Sequence, residues 1–324
     1  MKKILTSLAL AISLAATPVW AETTLRVAHN AADGNPKAEA SLLFAKLVEE
    51  KTDGRIKVEV GGNAQFGDDA EAITSMRLGA IAFSANSQGT TSSVVPEFAL
   101  LGLPFLFSNQ QDAWRVLDGT AGDKLSELAA QKGLVVLAYW DNGIRHVSNN
   151  VRPITKPSEL AGIKLRTPPD TMTVDIFQTL GANPTPMAFS ELYIALQQGV
   201  VDGQENPLAN IYSSKLYEVQ KYISFTGHKY EATPFLASKI VWDRLSQDDQ
   251  AAIREAAKEA GDFNRKTFVE QETQLRAEME AAGVMFNDVE HSAFVAATQP
   301  VYEKWKKDYP ELVSLLVRES TQSQ

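Results

Sequence analysis

Two arginines and an asparagine sit at spacings suited to gripping an anion. Tyr139-Trp140-Asp141-Asn142-Gly143-Ile144-Arg145 joins an aromatic pair to an arginine, and Ile163-Lys164-Leu165-Arg166 reads as a strand running into Thr167-Pro168. Arg166 follows apolar Leu165, so on an alternating strand it projects from the strand end. A guanidinium suits that place because its planar fork holds a carboxylate through two parallel hydrogen bonds. The alternative fate of such a residue is a structural or surface ion pair. Gly181-Ala182-Asn183-Pro184-Thr185-Pro186 is a proline-rich turn that leads through Phe189 into a helix, and Gly199 to Pro207 completes the set with Gln204-Glu205-Asn206. Asp202 and Glu205, beside Asn206, suit acid–base work, a cation, or ordinary hydrogen bonding at a turn.

Other chemistries find little footing. The histidines are His29, His146, His228 and His291, and none pairs with another at metal-ligand spacing. No HExxH, phosphate-cradling GxxxxGKS/T or GxSxG motif occurs. With no cysteine there is no disulfide framework, zinc–thiolate site or thiol nucleophile. The expectation is a binding protein with neither metal nor cofactor, and not an enzyme; a hydrolase assembled from scattered residues has no motif behind it.

The elements that must position these residues alternate. Thr24 to Ala28, Lys57 to Val60, Ile81 to Phe83, Leu134 to Tyr139 and Ile163 to Arg166 read as strands. Pro36 to Lys51, after Asn35, and Asp68 to Leu78, ended by Gly79, read as helices. Alternation of this kind predicts an α/β fold with largely parallel sheets. One echo stands out: Gly79 and Gly199 each close a helix before a short strand, and Asn86 and Asn206 each follow seven residues later. A glycine there supplies the left-handed turn, and each amide then falls just beyond a strand end, where open α/β sheets bind ligands. Ser246, followed by Asp248 and Asp249, is an N-cap for a proline-free stretch reaching Ala282. Such a helix would be on the order of 50 Å long. Its apolar spacing is not a sustained heptad, so a single spine helix is expected, with Gly261 the one interior site for a kink.

At the N-terminus, Lys2-Lys3, an apolar run from Ile4 to Ala16, and Val19-Trp20-Ala21 have the layout of a secretory leader cleaved after Ala21. The run is shorter than the roughly 20 residues that span a bilayer. The formal charge of −9 falls to −11 when Lys2 and Lys3, and no acid, are removed. An acidic chain without a basic cluster argues against nucleic acid. Roughly 300 mature residues suffice for two lobes. The expected division is a leader over 1–21, a first lobe mainly over 22–140, a second mainly over 141–245, and the long helix with C-terminal elements over 246–324 packing across both.

These segments resemble the solute-binding proteins of tripartite ATP-independent periplasmic (TRAP) transporters, in their dicarboxylate and sugar-acid branch. The resemblance runs from Arg26-Val27-Ala28-His29, through Gln65-Phe66-Gly67-Asp68-Asp69 and Leu103-Pro104-Phe105-Leu106-Phe107, to Glu218-Val219-Gln220-Lys221-Tyr222. It implies a two-lobed periplasmic-binding-protein fold with crossing strands, closing around a ligand in the cleft. It further implies that Arg166 holds the substrate carboxylate, that Asn206 and Phe189 line the pocket, and that Arg145 is a second basic contact. From the first lobe it implies Asn86, with Asn30, Gln65, Glu71 and His29 at the far end. The implied partners are a small organic carboxylate and TRAP membrane permease subunits, for a monomer in the periplasm. Thr167-Pro168-Pro169 departs from the pattern in a stretch that varies with ligand class, which leaves the acid open. First-lobe polar groups and an ionised Glu71 favour a sugar acid, a hexuronate or aldonate, over a C4-dicarboxylate such as malate or succinate. A binding protein of an ATP-driven importer and a periplasmic sugar-acid enzyme are the readings from other classes.

Overall fold

The computed structural model describes residues 23–321; the secretory leader expected over 1–21 lies outside them. Nine strands form one sheet: β1 (Thr23–Ala28), β2 (Ile56–Gly61), β3 (Phe83–Ala85), β4 (Leu134–Asn149), β5 (Lys164–Thr167), β6 (Asn183–Pro186), β7 (Gly203–Asn206), β8 (Tyr222–Ser238) and β9 (Met285–Asn287). Their order is β2-β1-β3-β8-β4-β7-β5-β6, with β9 also on β8. The first lobe is built on parallel β2-β1-β3, and the second on parallel β7-β5-β6. The antiparallel pair β4 and β8 runs through both.

That pair changes register where the lobes meet. Leu134 to Arg145 face Lys229 to Ser238, whereas Val147 to Asn149 face Tyr222 to Ser224. Phe225 to His228 therefore bulge opposite His146, and a bulge of this kind bends the strand and re-aims side chains. The expected strand at Leu134 to Tyr139 runs on to Asn149, because the ladder with β8 continues past an irregularity between Asp141 and Gly143. The third strand begins two residues later than expected, since Ile81 N–H still bonds to Ser75 O beyond the helix end. Pro184 and Pro186, read as a turn, lie in β6, an edge strand, where a missing N–H is tolerated.

The long helix, Gln247–Ala281, is capped by the Ser246 side chain, which accepts from Asp249 N–H. Its 35 residues span about 52 Å. Ile253, Ala256, Ala257 and Ala260 join the core of the first lobe, and Phe268, Leu275 and Met279 that of the second. The helix is unbroken through Gly261, whose purpose is contact: a Cβ there would sit 2.6 Å from Trp140 Cδ1. The Trp140 indole stacks on Phe235 at 4.2 Å and donates to Ala257 O at 2.9 Å.

Candidate functional site

The second lobe supplies the cation. Arg166 lies on β5 between Gln204 of β7 and Thr185 of β6, so its direction is set by a strand bonded on both sides. Its Nε and Nη2 both donate to Met187 O, at 3.0 and 2.7 Å, and its guanidinium lies 5.7 Å from the centre of the Phe189 ring. The side chain is only 2% exposed. Among the described residues no carboxylate pairs with it. Burial pushes its pKa down to about 10, with the Glu205 charge opposing and Arg145 reinforcing that shift, so it stays charged at neutral pH. A buried charge without a partner is expensive, and an anionic ligand would supply one.

Arg145 is arranged differently. Its Nε and Nη2 reach Glu205 Oε2 and Oε1 at 2.5 and 2.7 Å, and Nη2 also reaches Asn206 Oδ1 at 3.1 Å. His228 Nε2 lies 3.0 Å from the same Glu205 carboxylate. Burial by itself would raise the Glu205 carboxyl, but the Arg145 charge and the His228 hydrogen bond hold it well below the usual range. The charge of Arg145 is thus already met. Asp202 accepts from Lys164 N–H at 2.9 Å; both acids take the hydrogen-bonding role.

The first lobe faces Arg166 across a cavity that encloses about 690 Å³, part of it open to solvent. Its walls include Asn30, Lys37, Asp68, Asp69, Glu71, Ser87 and Thr90 from the first lobe. Arg145, Arg166, Pro168, Pro169, Phe189, Asn206 and Asn210 line the other side, with Asn142 of β4 between them. Asp68 caps the helix Asp69–Arg77, accepts from Asn30 Nδ2 at 2.9 Å, and reaches across the cleft to Ser190 N–H at 3.0 Å. Asn35 Nδ2 likewise crosses to Asn210 Oδ1 at 2.9 Å and Ser213 Oγ at 3.1 Å. The lobes are closed on one another. Buried Asp69 accepts from Ser87 N–H at 3.0 Å, and burial pushes its carboxyl up to about 6.

Arg166, Arg145, Asn206, Phe189, Asn30 and Glu71 are therefore brought together around one cavity. Asn86, His29 and Gln65 lie outside its lining. Asn86 is buried at the end of β3, donates to Asp69 O at 3.0 Å and leaves its own Oδ1 unpartnered. His29 is buried beside Gly62, and burial pushes it down to about 4. Gln65 is exposed. The echo of Gly79 and Gly199 is real in conformation, with φ of +76° and +68°, and places Asn86 and Asn206 at corresponding strand ends; only Asn206 reaches the cavity wall. Lys37, Asp68, Asp69, Ser87, Thr90 and Asn210 also stand on the wall and were not among the expected site residues. A signal existed for Lys37: a lysine in the first helical turn sits against the helix dipole.

A family model described as bacterial extracellular solute-binding protein, family 7, matches residues 27–308. An uncharacterized protein of Sinorhizobium fredii is 52% identical over 287 residues, covering 88% of this chain and 53% of that protein. The chain thus spans about half the length of that relative. The sugar acid binding protein of Advenella mimigardefordensis, solved in complex with galactonate, is 36% identical, with a TM-score of 0.91 and coverage of 94% and 99% of the two chains. A TRAP periplasmic solute-binding protein of Sulfurospirillum deleyianum, solved with bound succinate, is 32% identical, with a TM-score of 0.88 and coverage of 94% and 100%. Among the described residues no helix is long and apolar enough to cross a membrane.

Proposed function

The chain belongs to bacterial extracellular solute-binding protein family 7, the binding proteins of TRAP transporters, and we propose that it captures a polyhydroxy monocarboxylate. A sugar acid such as a hexuronate or aldonate sits in the cleft with its carboxylate on Arg166, and the protein hands it to membrane permease subunits from the periplasm. The family binds rather than transforms its solute, so capture is expected without turnover.

One observation carries this reading. Arg166 is a buried guanidinium that lines the cavity and, among the described residues, has no carboxylate partner, whereas Arg145 is held in a two-point pair by Glu205. The site therefore offers the second lobe's unmatched charge to one carboxylate. The opposite wall carries groups that exchange hydrogen bonds with hydroxyls, namely Asn30, Ser87 and Thr90, together with Asp68, Asp69, Glu71 and the buried Lys37, and Asn142 lies between the two walls. A second carboxylate at that end would face three acids against the single cation Lys37. The succinate-bound relative keeps the C4-dicarboxylate reading in the test. One thermal-shift plate compares glucuronate, galacturonate, galactonate and gluconate with malate, succinate and fumarate. At a hundredfold excess over Kd a true ligand adds about 2.7 kcal/mol of stability. Stabilisation by the C4 acids and by none of the sugar acids replaces this reading with the dicarboxylate one.

A further inference from the structure

Lys37 is a buried lysine that its surroundings do not explain. It is the second residue of the helix Pro36–Lys51, a position where a cation opposes the helix dipole. Its side chain is nonetheless buried, 3% exposed, and lines the cavity from the first lobe. An ammonium carries three donors. Among the described residues its one hydrogen bond goes to Asn30 Oδ1, at 3.3 Å, and no carboxylate lies within ion-pair distance. Burial disfavours its charge and lowers its pKa, with the Arg145 charge adding to that shift and Asp69, Glu231 and Asp68 at longer range opposing it. An apolar side chain of similar length would fill the same space without the desolvation. What an ammonium adds is two further donors at the wall of a cavity whose other side carries Arg166.

We propose that Lys37 is the first lobe's ligand anchor and that it sets ligand length, donating to hydroxyl oxygens at the end of the acid remote from Arg166. The inference rests on the reading that the carboxylate sits on Arg166. The offsetting acids around Lys37 make it a donor for neutral oxygens rather than a counter-ion for a second carboxylate. An acid long enough to reach from Arg166 to Lys37 joins the two lobes; a shorter one leaves a buried ammonium under-bonded. A site built to hydrogen-bond a hydroxyl rejects analogues lacking it.

The test is a ratio. Affinities for a six-carbon aldonate (galactonate) and a three-carbon one (glycerate) are measured by calorimetry on the wild type, Lys37→Met and Lys37→Gln, with the melting of each ligand-free variant as a control for folding. The wild type should prefer the long acid by at least tenfold. Lys37→Met should reduce that preference to within threefold by weakening the long acid alone, and Lys37→Gln, which keeps an N–H donor, should restore part of it. A preference that both variants retain overturns the assignment. Should neither variant fold, deoxy-galactonates lacking one distal hydroxyl are titrated into the wild type. At least one should bind tenfold more weakly, and equal affinity throughout the series overturns the assignment. A wild type that binds neither aldonate, or Arg166→Ala that binds them unchanged, overturns the underlying reading instead.

Discussion

Four buried cations stand in or beside the cleft, and their partners divide them into two kinds. Arg145 has Glu205, and Lys229 lies between Asp170 at 2.9 Å and Glu231 at 2.8 Å. Among the described residues, Arg166 and Lys37 have no carboxylate in contact. The first pair are held in ion pairs, and the second pair line the cavity. The acids near Lys37 give the site a pH dependence. Burial lifts the Asp69 carboxyl from an ordinary value to about 6, with Lys37 pulling it down and Asp68 and Glu231 pushing it up. A ligand carboxylate entering the same cavity makes ionised Asp69 less favourable still, so binding and protonation of Asp69 promote one another. The ligand's own carboxyl titrates near ~4, below this window. Affinity should therefore rise as pH falls from about 8 to about 5, and Asp69→Asn should flatten the profile over that range. Calorimetry across the range checks this; affinity that climbs with pH contradicts it. The same sign holds for stability. The folded pKa of Asp69 lies above its unfolded value, so its contribution is present below about 4 and is lost as pH rises through about 6.

Elements with local signals were legible, and those held by distant partners were not. The helix Pro36–Lys51 and the spine helix matched their readings because Asn35 and Ser246 cap them and neither has an interior proline. The long strand β8 had no such signal. Gly227, Pro234 and the buried charges Lys229 and Glu231 break any alternation, and only pairing with β4 on one side and β3 and β9 on the other makes Tyr222–Ser238 a strand. The same holds for the site. Arg166 was legible because it lies one residue before the end of a strand, whereas the pairing of Arg145 with Glu205, 60 residues apart, is tertiary. Gly261 was visible as a helix breaker, but its contact with Trp140 was not. Gly261→Ala gains roughly 1 kcal/mol of helix propensity. Overpacking costs about 1–3 kcal/mol. The indole, stacked on Phe235 and bonded to Ala257 O, has no room to yield. The urea midpoint should therefore fall. An unchanged or raised midpoint contradicts this packing argument.

At the scale of the whole molecule, the lobes are joined by elements that pass through or lie across both. The strands β4 and β8 change register at the junction, and the spine helix contributes to both cores. Direct bonds across the cleft, from Asn35 to Asn210 and from Ser190 N–H to Asp68, exist only when the lobes are closed. A ligand shifts the closing equilibrium only through contacts it gains in the closed form. With Arg166 on one wall and Asn30, Asp69 and Lys37 on the other, a bridging acid gains many. Small-angle scattering should show a more compact particle on saturation with the acid that binds best, and an unchanged profile counts against capture between lobes. Calorimetric titration of that acid into wild type and Arg166→Ala tests whether Arg166 holds the ligand carboxylate. Truncating one partner of a buried, hydrogen-bonded charge pair costs about 2–5 kcal/mol, so the variant should bind roughly 30- to several-thousand-fold more weakly. A variant that binds within about threefold of wild type, a loss of only ~0.6 kcal/mol, would contradict the account.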